Sequence, residues 1–152
     1  GRNFELEDSK IAKGIANYIP QNNRGQIFKT GKNTIFLDAY NANPTSMEAS
    51  LRNAVNLYKK MPHVYIAGGL LELGEYSKSQ HQRVIEIFQE LEIENAWFIG
   101  KEFEESQMPE KYYNYRDTAQ ALEALRGKQI HGNFIWIKGS RSFALEALLD
   151  EL

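Results

Sequence analysis

Short apolar runs alternate with amphipathic stretches along this chain. Runs of three to five residues that are rich in apolar or β-branched residues and are followed by polar residues or glycine predict strands. The predicted strands lie at 26–30, 35–37, 64–67, 96–99, 112–115 and 134–137. The most apolar of these runs are continuous rather than alternating, which is typical of a sheet that is covered on both faces.

Between these strands, apolar residues recur three or four positions apart, and this spacing predicts helices. The predicted helices lie at 8–19, about 44–60, 76–92, 117–126 and 142–152. Asn43 suits the N-cap of the second helix, and Pro44 suits its first helical position. Thr45 and Glu48 have the spacing of a capping box. The inward faces of the first and last helices are expected to hold Ile11, Ile15, Tyr18, Ile19, Leu145, Leu148, Leu149 and Leu152.

This order of elements predicts an α/β fold, Rossmann-like and doubly wound, with a mostly parallel sheet and helices on both faces. The strand at 26–30 is expected to be an antiparallel edge strand, because the turn at 31–33 is too short for a crossover. The length of 152 residues suits one domain, and we expect residues 1–152 to form it.

Composition excludes several classes of function. The net charge of −2 gives no support to binding of nucleic acid or a membrane surface, which usually needs a basic patch. No apolar run approaches the ~18 residues of a transmembrane helix. The chain has no cysteine, which fits a cytoplasmic protein, and its three histidines lack metal-ligand spacing, so we expect no metal site. It begins without Met or a signal peptide, so we expect a segment of a longer protein.

Polar residues follow several of the predicted strands. Asp38 ends one strand, and the turn after it carries Tyr40, Asn41 and Asn43. Another strand ends in Lys138-Gly139-Ser140-Arg141, so two cations and a hydroxyl meet the start of a predicted helix. Since parallel strands end along one edge, these groups are expected to form an anion-binding edge. From the residues alone, turn formation, helix capping and solvation account for them equally well.

Three stretches carry a resemblance to a known family. Asp38-Ala39-Tyr40-Asn41-Ala42-Asn43-Pro44-Thr45-Ser46-Met47 resembles the Asp-x-Tyr-Asn-Ala-Asn-Pro-x-Ser-Met motif of the MurF-type ligases, the UDP-N-acetylmuramoyl-tripeptide–D-alanyl-D-alanine ligases. The segment 69–75 with His81, and the segment 138–141, resemble the family's Gly-Asp-Met-x-Glu-Leu-Gly and Lys-Gly-Ser-Arg motifs. The order and spacing also agree, so the chain resembles the C-terminal domain of this family.

The resemblance implies a function and roles for particular residues. Such a ligase uses ATP to phosphorylate a tripeptide carboxylate in peptidoglycan precursor synthesis, and D-alanyl-D-alanine then attacks the acyl phosphate. Its C-terminal domain acts as a lid over the nucleotide. The residues implied to contact the nucleotide are Arg24, Asp38, Tyr40, Asn41 and Asn43. Those implied to act in the catalytic cleft and hold the dipeptide are Lys138, Ser140 and Arg141, with Glu72 lining the cleft.

The same resemblance implies partners and missing parts. The central ATPase domain, ATP with Mg²⁺, D-alanyl-D-alanine and the UDP-linked tripeptide are the implied partners, and we expect a monomer. Neither the phosphate-binding loop of the ATPase domain nor the N-terminal UDP-sugar domain occurs in this sequence. We therefore expect the isolated chain to have no ligase activity and to bind no cofactor tightly. His81 is interpreted as a packing or capping residue rather than a catalyst.

The sequence also departs from the family and leaves alternatives open. Gly69 stands where many relatives carry Asp, and Phe143-Ala144 stands where Met-Arg is frequent. A sister ligase such as folylpolyglutamate synthase is one alternative, although its turn carries His where this chain has Asn41. A receiver-like signalling module is a second alternative, but Gly100 occupies the position of its phosphoacceptor Asp.

Overall fold

The computed structural model describes residues 7–17 and 20–152. Four α-helices and six strands make up the regular structure of this part of the chain. The helices are α1 (Asp8–Ala16), α2 (Pro44–Ala54), α3 (Ser77–Glu90) and α4 (Thr118–Leu125). The strands are β1 (Gln26–Lys29), β2 (Thr34–Asp38), β3 (His63–Gly68), β4 (Ala96–Ile99), β5 (Tyr113–Tyr115) and β6 (Phe134–Lys138). Short 3₁₀ segments lie at Gly74–Tyr76, Lys101–Phe103, Arg141–Phe143 and Leu145–Asp150.

The six strands form one sheet in the order β1-β2-β6-β3-β4-β5. Only the edge pair β1–β2 is antiparallel among the strands of the described residues, and the remaining pairs are parallel. The predicted fold class, including the antiparallel edge strand, is therefore confirmed. The last strand, β6, lies between β2 and β3, so two segments that are distant in sequence become neighbours at the centre of the sheet.

Helices cover both faces of the sheet, as the continuous apolar strands predict. One core cluster packs α2 and α3 against side chains such as Tyr65 and Trp136, and the other packs α4 and the last 3₁₀ segment against side chains such as Ile135. Each large side chain buried in this way stabilises the fold by about 1.5–3 kcal/mol. The two faces alternate along β6, where neighbouring residues belong to different clusters.

The second helix is shorter than predicted, and its N-terminus is capped differently. It ends at Ala54 rather than near residue 60, and Tyr58 beyond it has a left-handed φ of 50°. Asn43 is the N-cap, but its capping-box partner is Ser46 instead of the Thr45–Glu48 pair. Glu48 instead accepts from Arg52, 2.7 Å away and one turn further along the helix.

The predicted helix at 142–152 is wrong. Two 3₁₀ segments occupy this region, and Ala144 between them has a left-handed φ of 47°, which interrupts an α-helical ladder. Leu145, Leu148 and Leu152 are nevertheless buried, because a spacing of three or four residues also lines one side of a 3₁₀ turn.

The first helix is described only in part. It ends at Ala16, and Ile11 on it is half-buried. Tyr18, Ile19 and the side chain of Ile15, which we expect on its buried face, lie outside the described residues.

Candidate functional site

The carboxyl ends of β2 and β6 place two charged side chains beside each other. Asp38 and Lys138 are direct partners in the parallel register of these strands, although 100 residues separate them. The Lys138 ammonium donates to Asp38 Oδ2 at 2.5 Å and to the carbonyl of Asn41 at 3.2 Å. The lysine side chain is only 3% exposed and the aspartate 25%. Lys138 therefore fixes the turn after β2 through the Asn41 carbonyl, with its charge neutralised by Asp38.

Tyr40, in the turn after β2, has two arginines near its ring. The guanidinium carbon of Arg24 lies 3.5 Å from the centre of the Tyr40 ring, and that of Arg141 lies 5.5 Å from it. Guanidinium groups at such distances are attracted to the face of an aromatic ring. A hydrogen bond from Arg24 and its positive charge, with a smaller effect of Arg141, lower the pKa of the Tyr40 phenol.

The loop that carries Arg24 is held against the same turn. The N–H of Ala39 donates to the carbonyl of Asn23 at 2.8 Å. Asn22 and Asn23 have left-handed φ values of 56° and 59°, a conformation that asparagine tolerates better than most residues. This tight loop turns the chain so that Arg24 reaches the Tyr40 ring. Three of the predicted segments, at Arg24, 38–43 and 138–141, therefore meet at one edge of the sheet.

The two asparagines of the turn have different surroundings. Asn41 is exposed, and its carbonyl receives the Lys138 bond. Asn43 uses its side-chain oxygen to accept from the N–H of Ser46 at 2.8 Å, so it holds the N-terminus of α2 at this edge. The positive end of that helix favours an anion nearby.

Glycines let β3 and β6 approach each other where they leave the sheet. A Cβ atom on Gly139 would lie 2.9 Å from the Cα of Gly68 and 2.7 Å from Leu145 Cδ1. No side chain fits there without a shift of the backbone. Ser140 follows and is buried, whereas Arg141 is exposed at the start of its 3₁₀ turn.

A cavity of about 370 Å³ opens beside Arg141 and contains residues that the sequence does not single out as a site. It is lined by Lys101, Glu102, Arg116, Asp117, Thr118, Ala119, Ser142 and Phe143. Two cations and two carboxylates thus surround one space at the ends of β4 and β5. The one sequence signal for this cavity is the Gly100-Lys101 dipeptide at the end of a predicted strand.

Glu102 occupies space that the glycines leave open. Its Oε2 atom would lie 3.1 Å from a Cβ on Gly69 and 2.7 Å from a Cβ on Gly100. This oxygen is buried and has no hydrogen-bond partner among the described residues. Phe143 would lie 2.6 Å from the same Gly69 Cβ. The neighbouring side chains therefore explain why position 69 carries glycine in this chain.

Glu72 and His81 belong to the loop after β3 and to α3. Glu72 is exposed, with a left-handed φ of 61°. His81 is fully buried, and both its ring nitrogens have backbone partners. The interpretation of His81 as a packing residue agrees with this environment.

Comparison with known proteins identifies the family. The model of the family described as "Mur ligase, glutamate ligase domain" matches residues 23–141. This chain belongs to the Mur ligase family. The match spans the Arg24 loop, the turn after β2 and the segment at 138–141, and it decides against the receiver-like alternative.

Individual relatives agree with this assignment. The UDP-N-acetylmuramoyl-tripeptide–D-alanyl-D-alanine ligase of Treponema pallidum is 31% identical over 94% of this chain and 32% of its own length. MurF from Acinetobacter baumannii has the same fold, with a TM-score of 0.80 at 24% identity over 98% of this chain and 34% of its own. MurF ligase from Thermotoga maritima, solved with ADP, has a TM-score of 0.73 at 22% identity. The match covers 90% of this chain and 31% of the Thermotoga maritima chain.

The chain spans about a third of the length of the curated relatives it matches. Within the described residues, no helix is long and apolar enough to cross a membrane. The same residues contain no group of three or more His, Asp or Glu side chains that could hold a metal ion.

Proposed function

We propose that this chain is the C-terminal lid of an ATP-dependent ligase that joins D-alanyl-D-alanine to a UDP-N-acetylmuramoyl-tripeptide. The named relatives support this assignment, since the Treponema pallidum protein carries that name. The observation that carries it is the meeting of Arg24, the turn at 38–43 and the segment at 138–141 at one edge of the sheet. The Asn41 of this turn favours it over folylpolyglutamate synthase, the sister ligase of the alternative.

The nucleotide would bind above the turn after β2. Arg24, Asp38, Tyr40, Asn41 and Asn43 are the proposed contacts. Tyr40 with Arg24 over its ring offers an aromatic and cationic surface that suits a purine base or ribose, and Arg141 adds a positive charge beside it. The Thermotoga maritima MurF ligase was solved with ADP, which supports a nucleotide as a ligand of the intact enzyme.

The dipeptide would lie beside the segment at 138–141. Ser140 and Arg141 are its proposed contacts, and the neighbouring cavity supplies cations that suit its carboxylate and carboxylates that suit its ammonium. Lys138 is buried and bonded to Asp38, so in our proposal it acts in the cleft by holding that carboxylate in place. Glu72 would line the cleft from the loop after β3.

The proposed reaction requires that the substrates be held in position and that the negative charge of the transferred phosphoryl group be neutralised. The γ-phosphoryl group of ATP passes to the tripeptide carboxylate and ADP is released; the dipeptide amine then attacks the acyl carbon, loses a proton, and inorganic phosphate leaves. Arg24 and Arg141 would offset negative charge as the lid closes over the central domain. In the intact enzyme, Mg²⁺ would accompany the ATP held by the central domain. We place the protein in the cytoplasm, as a monomer.

A domain exchange tests this function. The C-terminal third of Acinetobacter baumannii MurF would be replaced by this chain, and ligation would be followed by phosphate release. We expect turnover that requires both ATP and D-alanyl-D-alanine, and none from the 152-residue chain alone. A folded hybrid without turnover, or turnover by the isolated chain, would contradict the proposal.

A further inference from the structure

His81 is a buried titratable group for which the proposed mechanism has no use. It lies on α3 with no exposed surface. Its Nε2 accepts a hydrogen bond from the N–H of Leu70 at 3.0 Å. The proton therefore resides on Nδ1, which donates to the carbonyl of Ser77 at 2.7 Å. The imidazole is neutral, and each of its nitrogens is bonded to backbone.

These bonds connect the carboxyl end of β3 with the start of α3. The loop between them contains Leu71 and Glu72, both exposed, and Glu72 has the strained left-handed φ of 61°. The ring of Phe103, on the turn after β4, packs edge-on against the imidazole, with 4.7 Å between ring centres. His81 thus contacts both loops that flank the carboxyl ends of β3 and β4.

We propose that His81 is a positioning residue, whose neutral imidazole holds the loop at 69–73 in the conformation that presents Glu72 at the carboxyl edge of the sheet. The role of Glu72 in the cleft rests on the proposed function, whereas the restraint by His81 does not. The Leu70 hydrogen bond is the part of the arrangement that needs an acceptor on the ring. Any group that accepts at the position of Nε2 should therefore restore the loop.

The charge state of His81 then controls this restraint. Burial lowers the pKa of the imidazole, while the Ser77 carbonyl and the negative charge of Glu102 on the turn after β4 act in the opposite direction. At pH 7 the ring is neutral. As the pH falls below the usual histidine value of about 6.5 and through the lowered pKa, Nε2 gains a proton and can no longer accept from Leu70. Acid should therefore release the loop.

Amide hydrogen exchange on the whole chain tests the proposal. In His81→Gln the longer side chain places its oxygen near the position of Nε2, whereas in His81→Asn it reaches only the position of Nδ1. We expect protection of the Leu70 amide to fall about tenfold in His81→Asn, as for one lost hydrogen bond, and to stay within about twofold of wild type in His81→Gln. Amides of β6 should stay unchanged in both variants.

The pH dependence of exchange, measured first on the wild-type chain, is a second test. Protection of the Leu70 amide should decrease relative to the β6 amides as the pH is lowered from 7 through the range in which the His81 ring nitrogens titrate by NMR, and Glu102→Gln should move this decrease to lower pH. Equal protection in His81→Gln and His81→Asn, or Leu70 protection that is independent of pH, would overturn the proposal. Neither reading involves ATP or the dipeptide, so failure here and failure of the proposed ligase function are distinguishable.

Discussion

The Asp38–Lys138 pair shows how one residue can serve the site without facing a ligand. Lys138 is 3% exposed, so its charge is tolerated only because Asp38 and the Asn41 carbonyl bind it. The sequence identifies both residues through their motifs and their places at strand ends. It does not show that they bond to each other, because that contact depends on the insertion of β6 beside β2.

Removing the lysine charge should destabilise the fold. In Lys138→Met the Asp38 carboxylate, which is 25% exposed, loses its partner, and we expect a loss of about 2 kcal/mol in the free energy of unfolding. Urea denaturation followed by circular dichroism measures it. Lys78→Met is the matched control, because Lys78 is 68% exposed and its pairing with Glu105 should contribute less than about 1 kcal/mol. Equal losses in both variants would contradict a buried, neutralising pair.

The junction of β3 and β6 depends on the absence of a side chain. In Gly139→Ala the new methyl group would meet Leu145 at 2.7 Å and the Gly68 backbone at 2.9 Å, so we expect a loss of about 1–3 kcal/mol. Gly14→Ala in α1 is the opposite control, since nothing lies within 4 Å of its Cβ, and it should add up to about 1 kcal/mol. Thermal denaturation of the two variants compares them. A Gly139→Ala variant as stable as wild type would show that the two strand ends are further apart.

At the scale of elements, the last segment shows where sequence patterns are ambiguous. Leucines at 145, 148, 149 and 152 suit an α-helix and a 3₁₀ turn equally well. The 3₁₀ conformation begins after Ala144, whose left-handed backbone precedes the second 3₁₀ segment and does not allow a continuous α-helix. Its carbonyl accepts from the N–H of Ala147 at 3.0 Å, a bond that spans three residues rather than four.

Replacing Ala144 by glycine should stabilise the fold. A left-handed alanine costs about 1–2 kcal/mol, part of which Gly loses again through its greater freedom in the unfolded chain, so Ala144→Gly should gain about 0.5–1 kcal/mol. Ala147→Gly, at an exposed position of the same segment, is the control and should lower the free energy of unfolding by about 0.5–1 kcal/mol. Urea midpoints at equal m-values measure the difference. A loss of stability in Ala144→Gly would mean that position 144 does not have this backbone conformation.

Other elements were predictable for identifiable reasons. The continuous apolar runs of β2, β3, β4 and β6 sit in the centre of the sheet, where local pattern and tertiary packing demand the same residues. Asn43 and Pro44 mark the start of α2 correctly, but the choice of Ser46 as the capping partner depends on side-chain geometry. The end of α2 at Ala54 has neither Pro nor Gly to mark it in the sequence, so the apolar pattern predicts a helix that is too long.

At the scale of the whole molecule, the family motifs identify the edge of the sheet where the parallel strands end. They identify only some of the residues that surround this edge. Arg24, Tyr40 and Arg141 come from separate segments, and their proximity follows from the order of the strands. Lys101, Glu102 and Arg116 carry no motif, so the cavity they line was not predictable as a site.

The central claim, that ligands bind at this edge, is tested most directly by an amide NMR titration of the chain with a non-hydrolysable ATP analogue. We predict saturable shifts confined to Arg24, residues 38–43 and residues 138–141, even at millimolar affinity. A Tyr40→Ala variant should weaken them, because the Arg24–Tyr40 stack is lost. Shifts concentrated instead at the opposite edge of the sheet, near the amino ends of β3 and β4, would contradict the account.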